Sequence, residues 1–267
     1  WTAYYLIRAD PSLRIAIVEA EQAGFGASGR NGGWASALFP ASIAALAKRS
    51  SRDAAIRMTR AMQATVDEIG AVAAAEGWDI GWAKGGTVVA ARSPLQRDRA
   101  RAEIDEWRSW GFGEDDYAYL DADDAARRIG ATDVLAATYT PHCAAIHPAR
   151  LVRGLALAVE RLGVTIHEGT RVTRIDPGVV RTELGDVRAR RIVRATEAWT
   201  SQLPGYERDI APVYSLVLAT EPLPREVWDV IGLRRRETFN DQRHLIIYGQ
   251  RTADDRLVFG GRGAPYH

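Results

Sequence analysis

Between Gly24 and Trp34 the chain places five glycines in eleven residues: Gly24-Phe25-Gly26-Ala27-Ser28-Gly29-Arg30-Asn31-Gly32-Gly33-Trp34. Glycine tolerates positive φ and lets a backbone pass close to another group, at an entropic cost that needs a reason. A run of amide N–H groups with a guanidinium beside it suits a diphosphate. Immediately upstream, Arg14-Ile15-Ala16-Ile17-Val18-Glu19 has the composition of a short buried strand ending in a carboxylate. The order strand, acid, glycine loop governs what the rest of the chain can form.

Gly24, Gly26 and Gly29 satisfy G-x-G-x-x-G literally. The first loop of a dinucleotide fold also needs a helix directly after it, then a strand ending in Asp or Glu about 20 residues on. Here Arg30-Asn31-Gly32-Gly33 follows, and glycine is a poor helix former. No strand with a terminal acid arrives on schedule. The spacing instead makes Glu19 the ribose carboxylate at the tip of a second strand, with the first strand and its glycine loop upstream of residue 1. Residues 1–9 fit the back half of a helix, with an end signal at Asp10-Pro11 and no N-cap. The match at residues 24–29 is therefore expected to be a decoy.

Ile17-Val18-Glu19-Ala20 followed by Gly26-Ala27-Ser28-Gly29-Arg30-Asn31-Gly32-Gly33 resembles the FAD-dependent amine and amino-acid oxidoreductases of the D-amino-acid oxidase and glycine oxidase type. The Gly-Arg-Asn-Gly-Gly form is most similar to the bacterial branch that includes gamma-glutamylputrescine oxidase. The likeness continues through Ile146 to Leu155 and Val164 to Val172, then resumes at Tyr248 to Asp254 and at Gly260-Gly261-Arg262-Gly263. It implies a mixed α/β (α+β) fold in which a Rossmann-like FAD-binding domain interleaves with a β-sheet-rich substrate domain. Residues 1–78 and 145–205 would form the first, and 79–144 and 206–267 the second. The resemblance also implies a chain truncated at both ends, lacking the first glycine loop and the C-terminal flavin-side segment and so retaining little FAD by itself. Implied cofactor contacts are Glu19, Ala27, Ser28, Arg30, Asn31, Gly32, Gly33, Val172 (whose backbone would meet the adenine) and Ala195. Glu197 departs from the pattern, since a carboxylate near a diphosphate would be repelled.

The balance of 35 basic and 34 acidic residues, net +1, argues against a nucleic-acid surface. A single cysteine, Cys143, excludes an internal disulfide and a multi-cysteine metal site, and is expected as a buried small hydrophobe. No apolar run approaches the ~18 residues of a membrane span, and a cytoplasmic protein is expected.

Further along, Met62, Val66, Ile69 and Val72 predict a helix over residues 53–76, capped by Asp53 and closed by Gly77. Turn and strand follow at residues 85–90, a polar helix from Pro94 to about Trp110, and another helix start at residues 120–128. Asp121, Asp123 and Asp124 there favour the helix dipole, and no metal site is expected of them. Residues 139–147 are expected as a loop in which His142 makes a structural hydrogen bond. Pro148 opens a helix lined by Leu151, Leu155, Val159 and Leu162. Strands are expected at 164–167, 171–176, 179–184 and 187–195, with Gly185-Asp186 as a hairpin turn. Residues 194–199 are expected as a strand-to-turn segment, and 215–220, 244–248 and 257–261 as sheet.

The resemblance implies oxidation of the C–N bond of a small amine or amino-acid substrate to an imine, by hydride transfer to flavin N5. The cofactor carries the chemistry and the protein supplies orientation and electrostatics. No residue is assigned as catalytic. Tyr248 and Arg262 are substrate-pocket candidates, with a core-edge tyrosine and a solvated arginine as the alternatives. Two other functions stay open: an NAD(P)-dependent dehydrogenase using the literal glycine motif, and an incomplete flavoprotein remnant without activity.

Overall fold

The computed structural model describes residues 1–262, so Gly263 of the last glycine segment lies outside the described residues. The first helix, α1 (Thr2–Ala9), buries Tyr4 and Ile7 and ends at Asp10, which turns extended at φ −143°. That is the conformation Pro11 imposes on its predecessor. The strand β1 (Ala16–Val18) follows, then α2 (Ala27–Arg30), a single helical turn inside the glycine stretch expected as loop. Instead of a long crossover helix the chain enters β2 (Trp34–Ser36).

Helices α3 (Ile43–Arg49) and α4 (Arg52–Ala75) come next. The cap of α4 is Ser51 rather than the expected Asp53: the Ser51 hydroxyl accepts from the Ala54 N–H at 3.2 Å. Asp53 sits in the first turn, where its charge still favours the dipole. After β3 (Thr87–Ala91), Ser93 caps α5 (Pro94–Ser109) with Pro94 at its start. β4 (Ala118–Leu120) leads to α6 (Ala122–Ala126), capped by Asp121 through the Asp124 N–H at 2.8 Å.

Residues 139–147, expected as a loop, instead hold the end of β5 (Ala136–Thr140) and all of β6 (Cys143–Ala145). Alanines at 0% exposure begin β5, at Ala136 and Ala137, and end β6, at Ala144 and Ala145. Their low strand propensity is overridden because only small side chains fit between the layers. Then come α7 (Pro148–Arg161), β7 (Thr165–His167), β8 (Val172–Asp176), β9 (Val179–Thr182) and β10 (Gly185–Arg188). On α7 Val159 is buried, whereas Leu162 lies past its end and is exposed.

The β9–β10 hairpin turns at Glu183-Leu184, two residues before the expected Gly185-Asp186, because Gly185 already pairs with Thr182. The Thr182 hydroxyl fixes that turn, donating to the Gly185 carbonyl at 2.7 Å and accepting from the Leu184 N–H at 3.1 Å. β10 ends at Arg188 rather than Ala195, since its partner there, Val179, is the first residue of β9. The expected strand-to-turn segment is a 3₁₀ turn, Glu197–Gln202, entered at φ +46° on Glu197. The remaining elements are β11 (Ser215–Pro222), α8 (Arg225–Ile231), β12 (Thr238–Asp241), β13 (Ile247–Arg251) and β14 (Arg256–Arg262).

The chain divides into two compact units. The first comprises Trp1–Arg30 and Ala149–Tyr214. In it β1 pairs in parallel with β7, and β8, β9 and β10 form an antiparallel meander. The second comprises Asn31–Pro148 and Ser215–His267, described as far as Arg262. Its seven-stranded sheet has the order β11-β14-β13-β12-β3-β5-β4, beside the antiparallel pair β2-β6. Val88, Leu120, Ala137, Trp228 and Leu233 form the main core of this unit.

Candidate cofactor site

In the first unit, the backbone beyond β1 is tied to the chain after β7. The Glu19 N–H donates to the His167 carbonyl at 3.0 Å and the Thr170 N–H to the Glu19 carbonyl at 2.8 Å. The Glu19 carboxylate accepts from the Glu21 N–H at 3.1 Å through one oxygen, and its other oxygen has no partner among the described residues. Glu168 and Glu21 instead make structural contacts, with the Ala23 N–H at 2.8 Å and Arg171 at 3.0 Å.

The glycines of the literal motif serve their own turn. The Gly29 N–H donates to the Gly26 carbonyl at 3.1 Å. A Cβ at Gly29 would stand 2.0 Å from the Gly24 carbonyl oxygen. Arg30 is held by its Nε, which donates to the Phe25 carbonyl at 2.6 Å, and by its stacking 4.6 Å over the Phe25 ring. Its terminal nitrogens have no partner among the described residues. Ala27 and Ser28 belong to the exposed turn of α2. Val172 opens β8 beside a bulge, and Ala195 is exposed just before the 3₁₀ turn. The Glu197 carboxylate is occupied locally, accepting from the Ala198 N–H.

In the second unit the Asn31–Gly33 turn packs on one face of β13. The Asn31 side chain accepts from the Gly33 N–H at 2.9 Å, and Gly33 has φ +74°. A Cβ at Gly32 would come within 2.7 Å of the Tyr248 ring. Two residues along the strand, and hence on the same face, Gln250 donates to the Gly32 carbonyl at 2.8 Å and the Gly33 carbonyl at 3.0 Å. Tyr248 stands edge-on to Trp34 with ring centroids 6.1 Å apart. The structure thus brings Tyr248 to Gly32. No hydrogen bond joins Tyr248 to Arg262, which is exposed at the end of β14.

Sequence reasoning assigned no role to Gln250 or Trp34. The available signal was a buried-strand glutamine two residues from Tyr248, spaced to share its face. Two buried polar atoms beside this turn, the Trp34 indole N–H and the Gln250 Oε1, have no partner among the described residues. Leaving such groups unpaired costs about 1–3 kcal/mol each.

His142 belongs to another cluster. Its Nε2 lies 3.0 Å from Asp116 Oδ1, which also accepts from Arg60 at 2.5 Å. Burial alone would raise the Asp116 carboxyl, but the bonds from Arg60 and His142 outweigh it and hold it below the usual carboxylate range. Neighbouring Tyr117, stacked 4.0 Å from Trp107, is pushed up to about 12 by burial. Cys143 is fully buried, and desolvation raises its thiol.

Each unit carries residues whose chemistry fits FAD: in the first, a carboxylate with one oxygen unclaimed among the described residues for ribose hydroxyls and a pre-oriented guanidinium for a diphosphate; in the second, a glycine turn beside polar atoms without a partner among the described residues. The family model described as FAD dependent oxidoreductase matches residues 1–267. The chain belongs to this family.

Family relatives include the gamma-glutamylputrescine oxidoreductase of Escherichia coli, 29% identical over 261 residues. That alignment covers 95% of this chain and 60% of the relative. The probable oxidoreductase OrdL of Haemophilus influenzae is 27% identical, with 94% of this chain and 60% of the relative covered. The chain thus spans about 60% of the length of these curated relatives. The fold is that of glycine oxidase from Geobacillus kaustophilus, with TM-score 0.73 at 20% identity, covering 99% of this chain and 68% of that structure. The literal glycine motif leads through a four-residue helical turn into β2, not into the crossover helix that a first dinucleotide loop needs. β2 runs antiparallel to β6, while β1 takes β7 as its partner. β3, the strand a dehydrogenase would need beside β1, joins β5 and β12 instead.

Proposed function

We propose that the protein oxidises the C–N bond of a small amine or amino acid to an imine, which water then hydrolyses. The family match over residues 1–267 carries the reading. The chemistry supplied by bound FAD is acceptance, at flavin N5, of the hydride from the carbon bearing the nitrogen. The chain's own residues bind and orient. In the first unit Glu19 takes the ribose hydroxyls, Arg30 the diphosphate with the backbone of Ala27 and Ser28, Val172 the adenine edge, and Ala195 a further backbone contact. In the second unit Asn31, Gly32 and Gly33 present backbone to the cofactor. Tyr248 closes the substrate pocket, and Arg262 pairs with a substrate carboxylate where there is one. Residues 1–78 with 145–205, and 79–144 with 206–267, remain the proposed functional division. Of these, residues 31–78 and 145–148 belong to the second compact unit, and 206–214 to the first.

The test is anaerobic mixing of the purified intact protein with a panel of amines and amino acids, including a gamma-glutamyl diamine as the relative's name directs. Bleaching of a bound yellow flavin by a member of the panel, with release of ammonia or an aldehyde, is the expected result. A colourless protein that turns over with NAD⁺ would overturn the proposal.

A further inference from the structure

The Gly32–Gly33 turn is held by one side chain from a strand more than 200 residues later in sequence. Gln250 lies in β13, between β12 and β14, and is 2% exposed. Its Nε2 faces three carbonyl oxygens: Gly32 at 2.8 Å, Gly33 at 3.0 Å and Ile146 at 3.3 Å. This fixes the orientation of the carboxamide, because the flipped form would set Oε1 against three acceptors. The Gly33 carbonyl also accepts from the Ile146 N–H at 2.8 Å, so Gln250 closes a junction between the turn and the chain leaving β6. The fit leaves no slack. A Cβ at Gly33 would stand 2.0 Å from the Gln250 Nε2 and 2.4 Å from the Ile146 carbonyl oxygen.

A central strand gains nothing for its own pairing from a buried glutamine whose Oε1 has no partner among the described residues. A buried unpaired acceptor is costly, so the side chain is retained for what its other end holds. We propose that Gln250 is a positioning residue. By donating to the Gly32, Gly33 and Ile146 carbonyls it fixes the backbone of the Asn31–Gly33 turn in the conformation that receives the cofactor. The second half of that statement rests on the assignment of this turn to FAD.

The test uses the intact protein stripped of flavin, with two variants. Gln250→Met keeps the length and removes the donors. Gln250→Glu keeps the shape but, when ionised, sets a carboxylate against three carbonyls, while its protonated form restores one donor. Hydrogen exchange at the Gly33 and Ile146 amides reads the turn directly, fluorescence titration with FAD reads affinity, and thermal melting checks folding. Both variants are expected to exchange at least about tenfold faster at these amides and to bind FAD about tenfold more weakly at neutral pH. In Gln250→Glu both effects should shrink as pH falls through the carboxyl range, whereas the wild type and Gln250→Met, run alongside, should not recover. A role in filling volume alone predicts no such pH dependence. If Gln250→Met does not fold, the pH titration of Gln250→Glu decides. Wild-type exchange in both variants overturns the brace. Faster exchange with unchanged FAD affinity keeps the brace but removes this turn from the FAD site, overturning the cofactor role.

Discussion

Gly33 is constrained by conformation and by space at once. Its φ of +74° nearly matches the +71° of Gly77, but a Cβ at Gly77 meets nothing within 4 Å. The pair separates the two constraints. Gly77→Ala should cost about 1–2 kcal/mol, the penalty of a left-handed residue. Gly33→Ala should cost roughly 1–3 kcal/mol more from forced displacement of Gln250. Urea denaturation of both variants measures the difference, and equal losses would show that the turn can yield. Glu19 offers the matching test in the first unit. With one carboxylate oxygen unclaimed, Glu19→Ala should leave the melting midpoint of the flavin-free protein nearly unchanged. It should weaken FAD binding by about 1–3 kcal/mol, read by titrating apoprotein. The position of Glu19 just past β1 was legible, because a short apolar run closing on an acid ahead of glycines marks a strand end. Gln250 was not, because its partners are carbonyls far away in sequence, and no side-chain pattern announces a backbone acceptor.

Among the elements, helices with a full apolar stripe or a proline start were legible from spacing: α4, α5 and α7 lie close to where periodicity put them. The short alanine strands β5 and β6 were not, since burial between layers rather than side-chain preference makes them strands. The hairpin at β9–β10 slipped by two residues because a threonine hydroxyl, not a glycine pair, closes its turn. The cluster where α4 meets the chain ahead of β4 makes a pH prediction. Asp116 has a carboxyl lowered in the folded state, so its stabilisation is fully present above the ordinary aspartate value near 4 and fades as pH falls through the lowered one. Asp116→Asn should therefore cost about 1–3 kcal/mol at neutral pH and flatten the acid limb of the stability curve below pH about 4. Parallel acid titrations monitored by circular dichroism would show it; limbs of the same slope would place the acid sensitivity elsewhere.

On the scale of the whole molecule, the sheet of the second unit ends in a strand with little cover. Among the described residues β11 pairs only with β14. Leu216 and Leu218 are 67% and 59% exposed, and Val217 on the alternate face is 39% exposed. An apolar strand with a free edge is a template for association. Leu218→Lys should raise the concentration at which the 267-residue chain begins to scatter light, with little change in melting temperature. Unaltered scattering would exonerate the edge.

β1 finds its partner about 150 residues downstream, Ala16 lying opposite Thr165. During synthesis the carboxylate-bearing end of β1 leaves the ribosome long before β7 exists. At roughly 5–20 residues per second the interval is on the order of 10–30 s. Throughout that time Ile17 and Val18 lack β7, the strand they pair with in the finished protein. The pairing of β1 with β7 is thus completed long after β1 itself has been translated. A translational pause before residue 165 would lengthen that interval without altering a single contact in the finished protein.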